Sequence, residues 1–178
     1  MTEGVAFREV RAVDQMRTVA RLARQIWNDH YPEIIGQAQV DYMLRKFQSE
    51  AAIAEEMAAG SRYFLIELGG EAVGYFAFRP EPAGGRMFLS KLYVRKEHRR
   101  RGLARGALEV VEQECRRGGF SRVRLAVNKR NHAAIAAYQR LGFRTSQGRM
   151  ADIGGGFVMD DWIMEKAVDT ASAPEAGR

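Results

Sequence analysis

The chain has 178 residues, 46% of them apolar and 28% charged, the balance of one globular domain with an ordinary core; two independent cores would be cramped. Twenty-eight basic residues against 22 acidic ones give a formal charge of +6, a field that draws in a polyanion, and the lone cysteine, Cys115, rules out an internal disulfide. No run approaches the ~18 apolar residues of a membrane span and Met1-Thr2-Glu3-Gly4 lacks signal-peptide character, so the sequence implies no membrane insertion and a cytoplasmic location.

Val5 to Val10 alternates like a strand, and Met16, Val19, Leu22, Ala23, Ile26 and Trp27 then recur at helical spacing, with Asp14 as the expected N-cap. Past a Tyr31-Pro32 break, Val40, Met43, Leu44 and Phe47 mark a second helix and Ile53 and Met57 a third, which Gly60 ends. Arg62 to Leu68 and Ala72 to Phe78 flank Gly69-Gly70, a hairpin signal, and Ala83-Gly84-Gly85 turns into a third antiparallel strand, Met87 to Val94. The order then changes to helix, strand, helix, strand. Leu103, Ala107, Val110 and Val111 form the apolar face of the first of these helices, Gly118-Gly119 stops it, and Arg122 to Val127 is the next strand. Phe143 to Ser146 and Phe157 to Lys166 are expected to complete the sheet, with Gly154-Gly155-Gly156 as a flexible loop between them. The fold class expected is α+β (mixed α/β), a single domain over residues 1–168 with a central twisted mixed sheet of six to seven strands flanked by helices. Residues 169–178, rich in Ala, Pro, Ser and Gly, are expected to be a disordered tail.

The segment Arg99-Arg100-Arg101-Gly102-Leu103-Ala104-Arg105-Gly106 lies between a strand and a helix. A tight turn containing Gly102 and the small Ala104 aims several free backbone N–H groups at one point and lets an anion approach the backbone. A helix N-terminus alone offers an exposed anion roughly 0.3 to 1 kcal/mol, whereas each charge-assisted hydrogen bond adds about 1.5 to 3 kcal/mol, so several together can hold a pyrophosphate. The chain contains no Gly-Lys-Ser or Gly-Lys-Thr, which excludes a nucleotide P-loop, and G-x-A-x-G matches the dinucleotide fingerprint poorly.

Arg99, Gly102 and Ala104 fill, in register, the pattern of Gln or Arg, two residues, Gly, one residue, Gly or Ala. Downstream, Asn128, Asn131, Ala133-Ala134, Tyr138 and Leu141-Gly142-Phe143 follow the next strand in a characteristic order. These two segments, together spanning Phe88 to Phe143, resemble the acyl-CoA-binding motifs of the GNAT superfamily of N-acetyltransferases, and weaker resemblance runs from the first strand to about Val168. The resemblance implies a strand (Met87 to Val94) splayed from its neighbour, with the cofactor between them: the backbone of Leu92, Tyr93 and Val94 on the pantetheine amides, Arg99, Arg100, Arg101, Gly102, Leu103, Ala104 and Arg105 around the pyrophosphate, and Asn131, two helical turns before Tyr138, on the pantetheine arm. It assigns Tyr138 the role of acid toward the departing thiolate. The donor implied is acetyl-CoA, used as a substrate, with no metal.

The acceptor implied is an amine-bearing molecule, and removing its proton is the least legible step. An alkyl amine is neutral in about one molecule in 2,500 at pH 7, a cost of roughly 4.6 kcal/mol. Relatives often carry a Glu where this chain has Ser90 and Lys91. The remaining candidates are a water chain ending at Glu97, His98 or a backbone carbonyl, and His30 or Glu33 reaching in from the helical arm. Trp27, Tyr31, Tyr42 and Phe47 are candidates for an acceptor pocket, and Asp160-Asp161-Trp162 is weakly similar to the closing segment of bacterial polyamine N-acetyltransferases, so that Asp152, Asp160 or Asp161 could attract a cation. Two rival readings are a non-catalytic acyl-CoA-binding sensor of the same fold and a basic nucleic-acid-binding module. The basic stretch lacks interleaved aromatic residues and no zinc, helix-turn-helix or RNA-binding pattern occurs, so no nucleic acid is expected. Oligomeric state is left open, a homodimer included.

Overall fold

In a computed structural model that describes residues 4–169, seven strands form one mixed sheet in the order β1-β2-β3-β4-β5-β7-β6. In chain order the elements are β1 (Val5–Glu9), α1 (Val13–His30), α2 (Pro32–Ile35), α3 (Gln37–Phe47), α4 (Glu50–Ala58), β2 (Arg62–Leu68), β3 (Glu71–Glu81), β4 (Arg86–Val94), α5 (Leu103–Arg117), β5 (Arg122–Asn128), α6 (His132–Arg140), β6 (Arg144–Gly154) and β7 (Phe157–Ala167). The tail expected over 169–178 lies, past Asp169, outside the described residues.

Strands β2 to β4 form an antiparallel meander, as the two glycine turns lead one to expect, and β1 pairs antiparallel with β2 across the four intervening helices. One core packs α5 and α6 on one face of the sheet, through Leu103, Ala107, Leu108 and Val111 against Phe76, Leu89, Val123 and Leu125. The other packs α1, α3 and α4 on the opposite face, through Val19, Ile26, Trp27, Val40 and Ile53 against Tyr63, Leu65 and Tyr75. Gly106 allows the first packing to be close, because a Cβ there would lie 2.6 Å from the Phe7 ring.

Three expectations are corrected. Helix α1 begins at Val13 with Ala12 as N-cap, not Asp14; the Gln15 side chain folds back to accept from the Arg11 N–H (2.7 Å) and the Ala12 N–H (3.0 Å). Asp14 instead sits in the first turn, where its charge suits the helix dipole. Strand β6 runs on through Gly154 rather than stopping at Ser146. It is an edge strand with nearly every side chain exposed through Met150, so no apolar alternation marks it, and its pairing with β7 sets its length. The triple glycine is accordingly a tight hairpin turn with all three residues at positive φ, not a loop.

The feature that positions the site lies mid-sheet. Strands β4 and β5 are parallel and pair only at Arg86 with Arg122, Met87 with Val123 and Phe88 with Arg124. Beyond these rungs they separate. A bulge helps: Lys91 pairs with Ala77 and Leu89 with Phe78, which leaves Ser90 as an extra residue whose hydroxyl donates to the Ala77 carbonyl at 3.1 Å. Leu92 and Val94 therefore join Leu89 on the α5/α6 face, while Tyr93 turns to the α1 face.

Candidate active site

The gap between β4 and β5 opens into a cleft of about 620 Å³, a size suited to a small ligand. Leu92, Tyr93 and Val94 of β4 line one wall and Ala126, Val127 and Asn128 of β5 the other. Arg99 also lines it, and Asn131 and Tyr138 line the α6 side. Arg100, Arg101, Gly102, Leu103, Ala104 and Arg105 continue from Arg99 along the rim without lining the cleft.

The turn into α5 is strained in a way that exposes backbone. Arg100 has φ +60°, the one non-glycine residue at positive φ among those described, and Gly102, the N-cap, has φ +78°. The first hydrogen bond closing the helix runs from the Gly106 N–H to the Gly102 carbonyl, and no side chain caps the end. Leu103, Ala104 and Arg105 are thus helix-opening residues whose N–H groups lack intrahelical acceptors. Nothing lies within 4 Å of where a Gly102 Cβ would stand. Arg99 donates from Nε to the Val94 carbonyl at 3.0 Å, tying the turn to the strand end. Arg99, Arg100, Arg101 and Arg105 are all exposed.

Tyr138 packs edge-to-face on Phe143, with centroids 5.6 Å apart, and also lines the cleft. Among the described residues its hydroxyl has no hydrogen-bond partner, and burial pushes its pKa well above the ordinary tyrosine value. Asn131 is buried at 3% exposure and is committed locally. Its amide oxygen caps α6 through the Ala134 N–H (3.4 Å) and meets His30 Nε2 at 3.1 Å, and its amide nitrogen donates to the Tyr31 hydroxyl (3.4 Å).

The α1 side of the cleft is aromatic. Trp27 lies 4.7 Å from Tyr31 and 5.6 Å from Tyr93, centroid to centroid. Trp27, Tyr31 and Phe47 line the cleft as the sequence led one to expect, whereas Tyr42 does not; its hydroxyl donates to the Ile153 carbonyl at 2.6 Å and pins the β6–β7 hairpin. Of the proton-acceptor candidates, His30 lines the cleft while Glu33, Glu97 and His98 stand outside it; Glu97 is engaged by Arg95.

Two more charged groups shape the cleft: a buried lysine to which the sequence assigned no role, and Asp161, one of the three aspartates it offered as a cation site. Lys91 is buried at 7% exposure and reaches Glu56 of α4 at 2.7 Å, and the Tyr63 hydroxyl donates to the same carboxylate oxygen at 2.6 Å. Burial lowers the Lys91 pKa in spite of Glu56. Asp161 is the register partner of Asn128 on one side and Arg149 on the other, is 6% exposed and lines the cleft. Burial raises its pKa from 3.8 to about 6, opposed by Arg149. Among the described residues no group of His, Cys, Asp or Glu is arranged to hold a metal, and no helix is long and apolar enough to cross a membrane.

Comparison with known proteins agrees with this geometry. The chain is 31% identical over 110 residues to N-acetyltransferase family 8 member 2 of Rattus norvegicus, covering 58% of this chain and 49% of that protein. It is 34% identical over 98 residues to N-acetyltransferase 8 of Mus musculus, covering 53% and 43%. The matches thus span about half the length of these relatives or less. By fold it superposes on the PaiA N-acetyltransferase of Thermoplasma acidophilum, solved with coenzyme A, with a TM-score of 0.77 over 92% of this chain and 98% of that one at 19% identity. The ribosomal-protein-S18-alanine N-acetyltransferase of Escherichia coli gives 0.68 over 98% and 99%, also at 19% identity. Residues 21–143 match the model of the Acetyltransferase (GNAT) family, and the chain belongs to that family.

Proposed function

We propose that this protein transfers an acetyl group from acetyl-CoA to a primary amine by direct attack within a ternary complex. The observation that carries this reading is the parting of β4 from β5 beyond Phe88 and Arg124, beside the uncapped N-terminus of α5. An extended arm carrying amides fits where two strands leave backbone groups facing each other unpaired, and a diphosphate fits the helix-opening N–H groups of Leu103, Ala104 and Arg105, with Arg99 to Arg101 around it. The solved relative with coenzyme A supports the choice of ligand.

The cleft opens to both faces of the sheet, with Tyr138 from the α6 side and Tyr31 and Tyr93 from the α1 side. Donor and acceptor can meet there without a covalent enzyme intermediate. The amine nitrogen forms a bond to the thioester carbonyl carbon, the C–S bond breaks, and its electron pair leaves on sulfur. Tyr138, protonated throughout the neutral range, gives its proton to that sulfur and recovers one, through water, from the nitrogen that has become an amide. A thiolate expelled into a water-poor cleft is itself a stronger base than in water, so the high pKa of the phenol does not bar the transfer.

Two measurements test this. Calorimetric titration with acetyl-CoA should give one site per chain, and free thiol should appear when a panel of primary amines is added with acetyl-CoA. Binding without thiol release from any amine would assign a sensor role. No binding would remove the reading altogether.

A further inference from the structure

Three carboxylates lie on the β6–β7 hairpin near the cleft, and the structure separates them. Asp152 turns its carboxylate onto the Gly154 N–H at 2.8 Å, an ordinary turn contact. Asp160 is held by Lys129 at 2.6 Å, and that ammonium also sits over the Trp162 ring at 4.7 Å. Asp161 alone faces the cleft: it is 94% buried, and among the described residues its carboxylate has no hydrogen-bond donor and no ion-pair partner.

An unpaired carboxylate in so dry a place is costly unless something arrives to pair with it. We propose that Asp161 receives the ammonium group of the acceptor and takes its proton, so that the acceptors are alkyl amines that are cations in water. This rests on the transferase reading above.

The surroundings fit such a guest. From α1 and the turn after it come His30 and the Tyr31 hydroxyl, from β4 Tyr93, from β5 Asn128, and from the start of α6 Asn131. His30 Nε2 and the Tyr31 hydroxyl are already engaged by Asn131. Arg99 lines the same cleft, donates to the Val94 carbonyl, and its charge reaches Tyr31. Arg149, across the β6 rung, is exposed and beyond ion-pair distance, and its field stabilises the carboxylate without closing on it. Asp160 opposes ionisation, and Lys129 favours it more weakly than Arg149 does. Trp27, Tyr31 and Tyr93 give the apolar stem of an alkyl amine an aromatic wall, whose ring faces also favour a cation. Attack needs the nitrogen lone pair. One N–H bond of the ammonium therefore breaks, the proton passes to an Asp161 oxygen, the electron pair stays on nitrogen, and the neutral amine bonds to the carbonyl carbon. Asp161 returns its proton to water after the product leaves.

The test is calorimetric titration of the CoA-loaded protein with butylammonium and, separately, with aniline, which is uncharged at neutral pH, in wild type and Asp161→Asn. The substitution keeps shape, and acetyl-CoA affinity serves as the control for folding. Butylammonium should bind wild type and bind the variant at least ~30-fold more weakly, as expected for a buried charge pair that loses one partner. Aniline should not distinguish the two. Wild-type affinity for butylammonium should also fall as pH drops through about 6, where Asp161 takes a proton, and the variant should show no such step. Equal butylammonium affinity in both proteins overturns the proposal. No binding to wild type overturns it as well. Selective binding that depends on Asp161 but gives no thiol release with acetyl-CoA upholds the ammonium site and removes the transferase reading.

Discussion

His30 Nε2 lies 3.1 Å from the amide oxygen of Asn131, a contact across 101 positions of sequence that joins the end of α1 to the start of α6. The same Asn131 oxygen caps α6, and the amide nitrogen reaches Tyr31, so one buried side chain sets the spacing of the two walls of the cleft. Asn131→Ala should lower stability by about 1 kcal/mol from the lost cap, and somewhat more from the orphaned His30 and Tyr31 groups. It should also raise KM for the amine more than KM for acetyl-CoA, since the proposed reading sets His30 and Tyr31 on the acceptor side. Thermal unfolding and two-substrate kinetics check both parts.

Gly102 carries the turn. At φ +78° a branched side chain is strained wherever it points, so Gly102→Val should cost the fold of the order of 1 kcal/mol or more as well as filling the open space above the helix-opening N–H groups. The expected outcome is a modest fall in melting temperature together with a loss of acetyl-CoA affinity of at least ~10-fold, about the free energy of one charge-assisted hydrogen bond. Gly102→Ala, which adds strain but less bulk, should separate the two effects.

Tyr138→Phe removes the hydroxyl and keeps the ring that packs on Phe143. Stability should change little, because no hydrogen bond is lost. Turnover should fall by roughly 10² to 10⁴, the range for a removed general acid, with KM for acetyl-CoA nearly unchanged. Turnover equal to wild type would assign protonation of the thiolate elsewhere.

Asp161 has a cost in stability whose sign can be worked out. Its carboxyl pKa is raised from 3.8 to about 6 in the folded state, so between about pH 4 and 6 the folded protein holds more protons than the unfolded chain, and its stability falls as pH rises through that window. Above it the full penalty applies, as much as about 3 kcal/mol. Asp161→Asn should therefore raise the melting temperature by several degrees at pH 7 and by little near pH 4. A residue that weakens the fold and faces the cleft is one whose place is explained by chemistry rather than packing.

Much of this architecture is written locally. The Gly69-Gly70 hairpin, the alternating strands and the strand, turn and helix order around Gly102 depend on residues next to one another, and they stand where the sequence puts them. What the sequence hid depends on pairing. Strand β6 has both faces exposed from Arg144 through Met150, so its length comes from β7 and not from its own pattern. Asp152, Asp160 and Asp161 are indistinguishable by composition; only the register that sets Asp161 between Asn128 and Arg149 buries one and leaves the others wet. Tyr42, five residues before Phe47 and so about 140° around α3 from it, points at Ile153. The Lys91, Glu56 and Tyr63 cluster joins three elements and left no trace in any one of them.

The proposed transferase stands on one geometry, in which the splayed strands take the pantetheine arm and the turn at Gly102 takes the diphosphate. A crystal structure of the protein grown with coenzyme A tests it most directly. Diphosphate oxygens should lie within hydrogen-bond distance of the Leu103, Ala104 and Arg105 backbone nitrogens, and the thiol beside Tyr138. Coenzyme A bound away from the gap between β4 and β5, or a diphosphate held only by surface arginines, would contradict it.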